Sequence, residues 1–306
     1  MGGAGTGGAG TGGAGTGGAG TGGAGTGGAG TGGDGTGGAG TGGQGTGGQG
    51  TGGQGTGGQG TGGQGTGGQG TGGQGTGGAL PPGAVIYYPF DQTAGAAGNG
   101  GAITDRSGRN NNGTVPNGGT FVAGVIGNAL QLSGNSQYVD IPQNPLASAT
   151  QMTIVTWVWV TMGRDWQRIF DFGNDMNVYM FLTPQAPGPD ASATTRFAIT
   201  IMGNPSNQEQ RLNGAPLPLG VWKHVAVVLG AAGTGGTLYI DGVAVNTNTS
   251  LALRPMNLGD GGGTANNWLG RSQYAADMYF NGRLDEFRLY DRALSGAEIM
   301  TLFTAR

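Results

Sequence analysis

Residues 2–78 repeat a single pentad, Gly-Gly-X-Gly-Thr, in which X is mostly Ala in the first half and Gln in the second. A period of five suits no regular backbone. Three glycines in every five exclude an α-helix, since each costs about 1 kcal/mol relative to Ala. In an extended strand an odd period sends successive threonines to opposite faces, so no apolar face forms. Threefold glycine helices want a period of three, around which Thr would step through every face. The calcium-binding nonapeptide needs Asp at its sixth position, and here Gly7 and Gly12 hold that place. The pattern predicts an entropic tether with a root-mean-square span of roughly 50 Å for a Gly-rich coil of this length. An ordered glycine lattice is the alternative, and self-association through the arm would follow from it.

Setting residues 1–79 aside as this low-complexity arm leaves 80–306, enough for one large β domain with a real core. Of the 306 residues, 13 are basic and 16 acidic, for a net charge of −3. Asp34 is the arm's one charge, so the remainder is close to neutral and gives no electrostatic reason to expect nucleic acid or an anionic membrane as partner. There is no cysteine, which removes disulfides, thiol nucleophiles and thiolate metal sites. No apolar run approaches the roughly 20 residues that span a bilayer. Met1 does not lead into a basic-then-apolar signal. A secreted or surface protein of bacterial type is expected, with its signal not present in this chain or with another export route.

The paired prolines 81 and 82 end the arm, and many short strands follow. Val85–Asp91 is the first, with Pro89 pointing to a sheet edge or bulge. Thr104–Gly113 is turn chemistry throughout. Ala129–Ser133 and Gln137–Ile141 flank Gly134-Asn135 and read as a hairpin. Met152–Thr161 is apolar on both faces, with Met152, Ile154, Val158 and Val160 on one and Val155, Trp157 and Trp159 on the other. Further strands are expected at Arg168–Phe172, Val178–Thr183, Arg196–Met202, Trp222–Leu229, Thr237–Asp241 and Val243–Asn246. Asp241-Gly242 suits a type I′ turn, where both central residues take positive φ. In Leu284–Tyr290, strict alternation puts Asp285, Phe287 and Leu289 on one face and Glu286 and Arg288 on the other. Ser295, three residues before Glu298, then forms a capping box that opens a short amphipathic helix. Strands separated by turn signals predict an all-β, antiparallel two-sheet sandwich or barrel.

The residues from 84 to 306 resemble the LamG-like jelly-roll domains of the concanavalin A-like lectin/glucanase superfamily. The resemblance lies in Tyr88-Pro-Phe-Asp91, Asp105-Arg-Ser-Gly108, Tyr138-Val-Asp-Ile-Pro142 and Trp166-Gln-Arg-Ile-Phe-Asp-Phe-Gly173. It continues in Trp222-Lys-His-Val-Ala226, Leu238-Tyr-Ile-Asp-Gly242, Asn267-Trp-Leu-Gly-Arg-Ser-Gln273 and Asp285-Glu-Phe-Arg-Leu-Tyr290 with Ala293-Leu-Ser295. It implies two packed antiparallel sheets with the first and last strands adjacent. It also implies a structural calcium where the terminal strands meet, which would place Asp91 and Asp285 as its ligands, with backbone carbonyls completing the oxygen shell.

No catalytic residue emerges. Glycoside hydrolysis needs two carboxyl groups roughly 5–9.5 Å apart, and glucanases of this fold take theirs from a Glu-x-Asp-x-x-Glu strand. The three glutamates, Glu209, Glu286 and Glu298, do not have that spacing. His224 reads as a packed strand residue, with no nucleophile elbow near it. Sugars stack on exposed aromatic rings flanked by amide and guanidinium groups, which selects Trp166, Asn174, Tyr179, Arg271 and Tyr274 as ligand-binding candidates. Trp157 and Trp159 are expected to be packed, and Arg168 and Arg271 to form ion pairs beneath the loops. The reading is a non-catalytic extracellular module for carbohydrate or another surface polymer, displayed on a flexible stalk. The alternatives are a structural or adhesive protein whose arm assembles and, more weakly, a polysaccharide hydrolase.

Overall fold

A computed structural model of the protein describes residues 81–188, 192–203, 208–259 and 263–306; the repeat arm lies outside them, so its tether and lattice readings are not addressed by the fold. Two antiparallel sheets stack on each other. Sheet I runs β15 (Val243–Asn248), β14 (Gly236–Ile240), β13 (Trp222–Leu229), β8 (Met152–Val160), β17 (Asn281–Tyr290), β6 (Asn128–Ser133), β5 (Thr120–Ala123), β2 (Gly95–Ala96), and β1 (Ala84–Tyr88) also pairs with β17. Sheet II runs β12 (Gln210–Gly214), β11 (Ala193–Thr200), β10 (Tyr179–Pro187), β9 (Phe170–Gly173), β16 (Asn266–Leu269), β7 (Val139–Ile141), β4 (Gly113–Val115), β3 (Gly101–Ile103). The first and last strands are thus neighbours; the register of β1 on β17 shifts between Ala84 and Ile86, and Pro89, expected at an edge or bulge within the strand, falls just past its end.

Period-two patterning builds the core. Ile154, Val158, Val227, Leu284, Phe287 and Leu289 of sheet I meet Phe170, Phe172, Met180, Leu182, Phe197 and Leu269 of sheet II. β8 is buried on its other face as well. There Val155, with Ala226, Val228 and Tyr290, packs against Leu294 and against Ile299 and Leu302 of helix α1 (Gly296–Thr304). The helix starts as its sequence requires, with Ser295 accepting from the Glu298 amide and the Glu298 carboxylate accepting from the Ser295 amide. Trp157 stacks on Phe303 at 5.6 Å, and Trp159 meets Trp222 at 5.9 Å.

The Asp241-Gly242 turn has both central φ values positive, at 51° and 78°. Two other expectations fail. The stretches around Gly134-Asn135 are not a hairpin: β6 belongs to sheet I and β7 to sheet II, so the chain crosses between layers there. Nor does β17 alternate strictly. Its register slips between Asp285 and Arg288, and Glu286 has φ +52°. The extra residue puts Leu284 and Phe287 both into the core and leaves Asp285 opposite Trp157, off the face of Phe287 and Leu289. The bulge falls where the strand on that side changes from β6 to β1. β2, β3, β4, β5, β12 and β16 have no counterpart among the expected strands; they are two to five residues long and several contain Gly, too brief for a periodic signal.

Candidate functional site

The outer face of sheet II carries the site. On β10, Met180 and Leu182 point into the core, so Tyr179 and Phe181 point out. The loop from β8 to β9 brings Trp166 over Phe181, with ring centroids 6.4 Å apart at 82°. The loop between β16 and β17 brings Tyr274 against Tyr179, 5.8 Å apart at 77°. These rings, with Arg168, Glu209 and Asp277, line a cleft of about 180 Å³. Trp166 and Tyr274 are half-buried, and Tyr179 and Phe181 form the floor. Trp166 has φ +65°, a left-handed conformation costly for a bulky residue. Its amide donates to the Gln185 carbonyl at 3.0 Å, which holds it there.

Arg168 fastens the loops together. It is 2 % exposed. Its Nε donates to Asp171 at 3.1 Å, one Nη to the Trp166 carbonyl at 2.6 Å and the other to Asp277 at 2.8 Å. The guanidinium lies 4.0 Å over the Phe181 ring. Asp171 also accepts from the Gln273 amide, so one buried pair ties both loops to β9. Burial pushes the Asp171 carboxyl up to about 6, with Arg168 acting in the opposite direction. Glu209 accepts from the Tyr179 hydroxyl at 2.8 Å and forms an ion pair with Arg211 at 2.7 Å. Burial, then the bonds to Tyr274 and Glu209, push the Tyr179 phenol up, so it stays protonated and is no nucleophile near neutral pH.

Trp166, Tyr179 and Tyr274 are therefore brought together, while Asn174 and Arg271 stand apart from the cleft. Asn174 is a strut: its side chain donates to the Gly263 carbonyl and accepts from the Ala265 amide, both at 2.8 Å. Arg271 forms no ion pair among the described residues, contrary to expectation; its guanidinium lies 4.1 Å over Trp268 and 4.8 Å over Tyr138. Phe181 was legible as the residue two beyond Tyr179 on the same strand face, whereas Glu209 and Asp277 carry no local signal. A larger depression of about 360 Å³, bordered by Arg109, Asn144, Ser148 and Asp291, has no aromatic ring in its lining.

The remaining acidic groups are held in place. Glu286 accepts from the Tyr87 hydroxyl and pairs with Arg288, and Glu298 pairs with Arg292 at 2.8 Å. His224 is buried against Trp157 and Phe303, and desolvation followed by Arg288 pulls its pKa down to about 3. Asp285 Oδ2 accepts from the amides of Val125 at 2.7 Å and Ile126 at 3.1 Å. Asp91 accepts from the amide of Asn128, the first residue of β6 directly after the β5–β6 loop, at 2.8 Å. Asp285 Oδ1 is buried with no hydrogen-bond partner, and burial raises this carboxyl to about 7. No group of three or more acidic or histidine ligands occurs among the described residues.

A profile of the Concanavalin A-like lectin/glucanases superfamily matches residues 133–300. The chain belongs to this superfamily. Among solved structures, it is similar to domain 4 of AbnA, an extracellular arabinanase from Geobacillus stearothermophilus, in complex with arabinotriose. There the identity is 24% and the TM-score 0.56, over 72% of this chain and 98% of that one. It is also similar to the binding domain of Paraclostridial Mosquitocidal Protein 1, at 17% identity and TM-score 0.51, over 73% and 52% of the two chains. A Trypanosoma rangeli sialidase structure matches at 17% identity and TM-score 0.51, over 74% and 34%. The chain thus spans nearly all of the arabinanase domain, about half of the toxin domain and about a third of the sialidase. At these identities the likeness is one of fold. No curated protein matches the chain.

Proposed function

We propose that this superfamily member is a non-catalytic extracellular binding module whose sheet II cleft takes a sugar ring of a polysaccharide or surface polymer. Trp166 carries the reading: a bulky residue held at positive φ and half-exposed, beside Tyr179 and Tyr274, on loops braced from beneath by a buried arginine. Strain kept in a cleft is a mark of pre-organised binding. The cleft is below the roughly 300–1,000 Å³ of whole-molecule pockets, which suits one ring of a longer chain. Its two carboxylates, Glu209 and Asp277, are each paired with arginine and bonded to a hydroxyl, so neither is offered as an acid or base. The arm serves as a stalk that holds the module clear of the surface on which it is anchored.

A glycan-array screen of the full chain, repeated with Trp166→Ala, is the test. Loss of roughly tenfold or more in affinity with an unchanged melting temperature is expected from removing one stacking ring. Equal binding by the variant would place the sugar elsewhere, and release of sugar from the array would show hydrolysis.

A structural calcium is a second proposal, carried by the orphaned buried Oδ1 of Asp285. Asp285 and Asp91 would hold it, and it would keep the Asp285 carboxyl ionised beside the β5–β6 loop. Calorimetric titration of chelator-treated protein should show heat and a rise in melting temperature, both absent in Asp285→Asn. No heat would remove the ion.

A further inference from the structure

Beyond the cleft, the same sheet face holds a second cluster of rings. Trp268 on β16 is cross-strand partner to Asp171 on β9 and to Asp140 on β7. Phe181 is in turn the partner of Asp171 on β10, so Trp268 lies two strand spacings, roughly 10 Å, from the cleft floor along one row. The Trp268 indole N–H donates to Asp140 at 3.0 Å, which fixes the ring. Tyr138 meets Trp268 at 6.1 Å and Tyr279 at 6.2 Å, and both tyrosines are half-buried. Over Trp268 and Tyr138 sits the guanidinium of Arg271, also half-buried.

Arg271 differs from the other arginine of this face. Arg168 has each of its three nitrogens committed to an acceptor. Arg271 has a stacking partner but no hydrogen-bond acceptor among the described residues, so its donors are in place and unused. Aromatic faces attract the cation and limit its freedom, and a planar five-donor fork held this way matches the paired oxygens of a carboxylate or sulfate.

We infer that Arg271, with Tyr138, Trp268 and Tyr279, forms a second subsite for an acidic sugar residue, making the ligand a polysaccharide bearing carboxylate or sulfate groups. The inference rests on the proposal that the outer face of sheet II binds glycan. A chain would lay a ring in the Trp166 cleft and set an oxyanion of a nearby residue against Arg271. Tyr138 and Tyr279 supply apolar surface beside the anion.

The test is native affinity electrophoresis of the full chain through gels containing polygalacturonate, dextran sulfate or uncharged dextran. Retardation by polygalacturonate or dextran sulfate but not by dextran is expected, and which gel retards identifies the anion. Arg271→Ala should weaken that binding by roughly tenfold or more, as for loss of a charge-assisted pair of hydrogen bonds, and flatten its salt dependence. Arg271→Lys keeps the charge without the planar fork and should fall between the two, which covers the case in which the alanine variant is unstable. Wild-type retardation by either variant overturns the inference. So does failure of both acidic polymers when a neutral glycan binds through Trp166, an outcome that leaves the cleft reading intact. Acidic-polymer binding that is lost in Arg271→Ala and indifferent to Trp166→Ala supports the subsite and overturns the cleft instead.

Discussion

The two outer faces of this sandwich begin from similar material and end differently. Sheet I presents Trp157, Trp159 and Trp222; sheet II presents Trp166, Tyr179, Trp268 and Tyr274. Part of sheet I is closed by a helix, sheet II by loops. A helix satisfies its own backbone, so α1 can lay Ile299 and Leu302 directly on Val155 and form a second apolar core. Loops have no such internal ladder and need side chains to hold them. Those on sheet II are held by Arg168, Asp171 and Asp277, with half-exposed rings at their edges. Aromatic content alone therefore does not mark a ligand face; the kind of cover does.

The sharpest way to break this comparison is to remove the polar brace. Arg168→Met leaves Asp171 buried without its cation, and loss of one partner of a buried pair costs about 3–5 kcal/mol. Urea unfolding of the single variant and of Arg168→Met/Asp171→Leu measures it, and the double variant should recover much of the loss. A cost near zero for the single change would mean that the loops hold themselves.

The apolar lid comes next. Leu302→Ala opens a cavity under α1 and should cost about 2–4 kcal/mol, since the residue is 2 % exposed. Glycan binding should not change. A loss of affinity together with stability would show that the two faces are coupled through the sandwich.

How far these faces could be read from sequence depended on the range of the signal. Met152–Thr161 displayed both of its faces, and Ser295 with Glu298 displayed the cap, because both patterns are local. Trp166, Tyr179 and Tyr274 were visible as aromatic residues near loops or strand ends, but their grouping was not: Tyr274 meets Tyr179 across 95 residues of chain. Arg168 and Arg271 were both expected to be ion-paired beneath the loops; Arg168 is, whereas Arg271 forms no ion pair among the described residues, and nothing local in the sequence separates the two. The Asp285–Glu286 bulge was hidden because an inserted residue looks like ordinary alternation until the partner strand is known. The crossing at Gly134-Asn135 was hidden for a related reason, since two strands and a tight turn fit a hairpin or a change of layer equally well.

Titration of the buried groups gives a third handle on the two layers. His224, on sheet I, has its pKa depressed to about 3 from 6.5, so the unfolded chain binds the extra proton between those values and this contribution to stability is lost as pH falls below about 6.5. Asp171 of sheet II and Asp285 are raised to about 6 and about 7 from 3.8. They act in the opposite sense: their contributions are full below about 3.8 and are lost as pH rises through the folded values. Each slope is bounded by about 1.4 kcal/mol per pH unit. Between pH 4 and 6 the two carboxyls outweigh the one histidine, so the melting temperature of the chelator-treated wild type should rise as pH falls, that of His224→Asn should rise more steeply, and that of Asp171→Asn should vary little. Parallel pH curves for all three proteins would show that these groups do not titrate as their burial requires.

The smallest expected effect tests whether the lid is local. Ser295 Oγ accepts from the Glu298 amide at 3.3 Å, and the Glu298 carboxylate, held down to about 2 by Arg292 and the Ser295 amide, accepts from that amide at 2.8 Å. Ser295→Ala removes one half of this exchange and should cost about 1 kcal/mol. The cap controls only the first turn, so the loss should appear as faster amide exchange at the start of α1, not at β8 or β13, which pair along their whole lengths. Because Leu294 and Ile299 are anchored in the apolar cluster on either side of the cap, the helix frays there but does not leave the sheet. If exchange also rose in β9 and β10 on the far layer, the lid would be part of one cooperative unit with the binding face, and the division drawn between the two faces would fail.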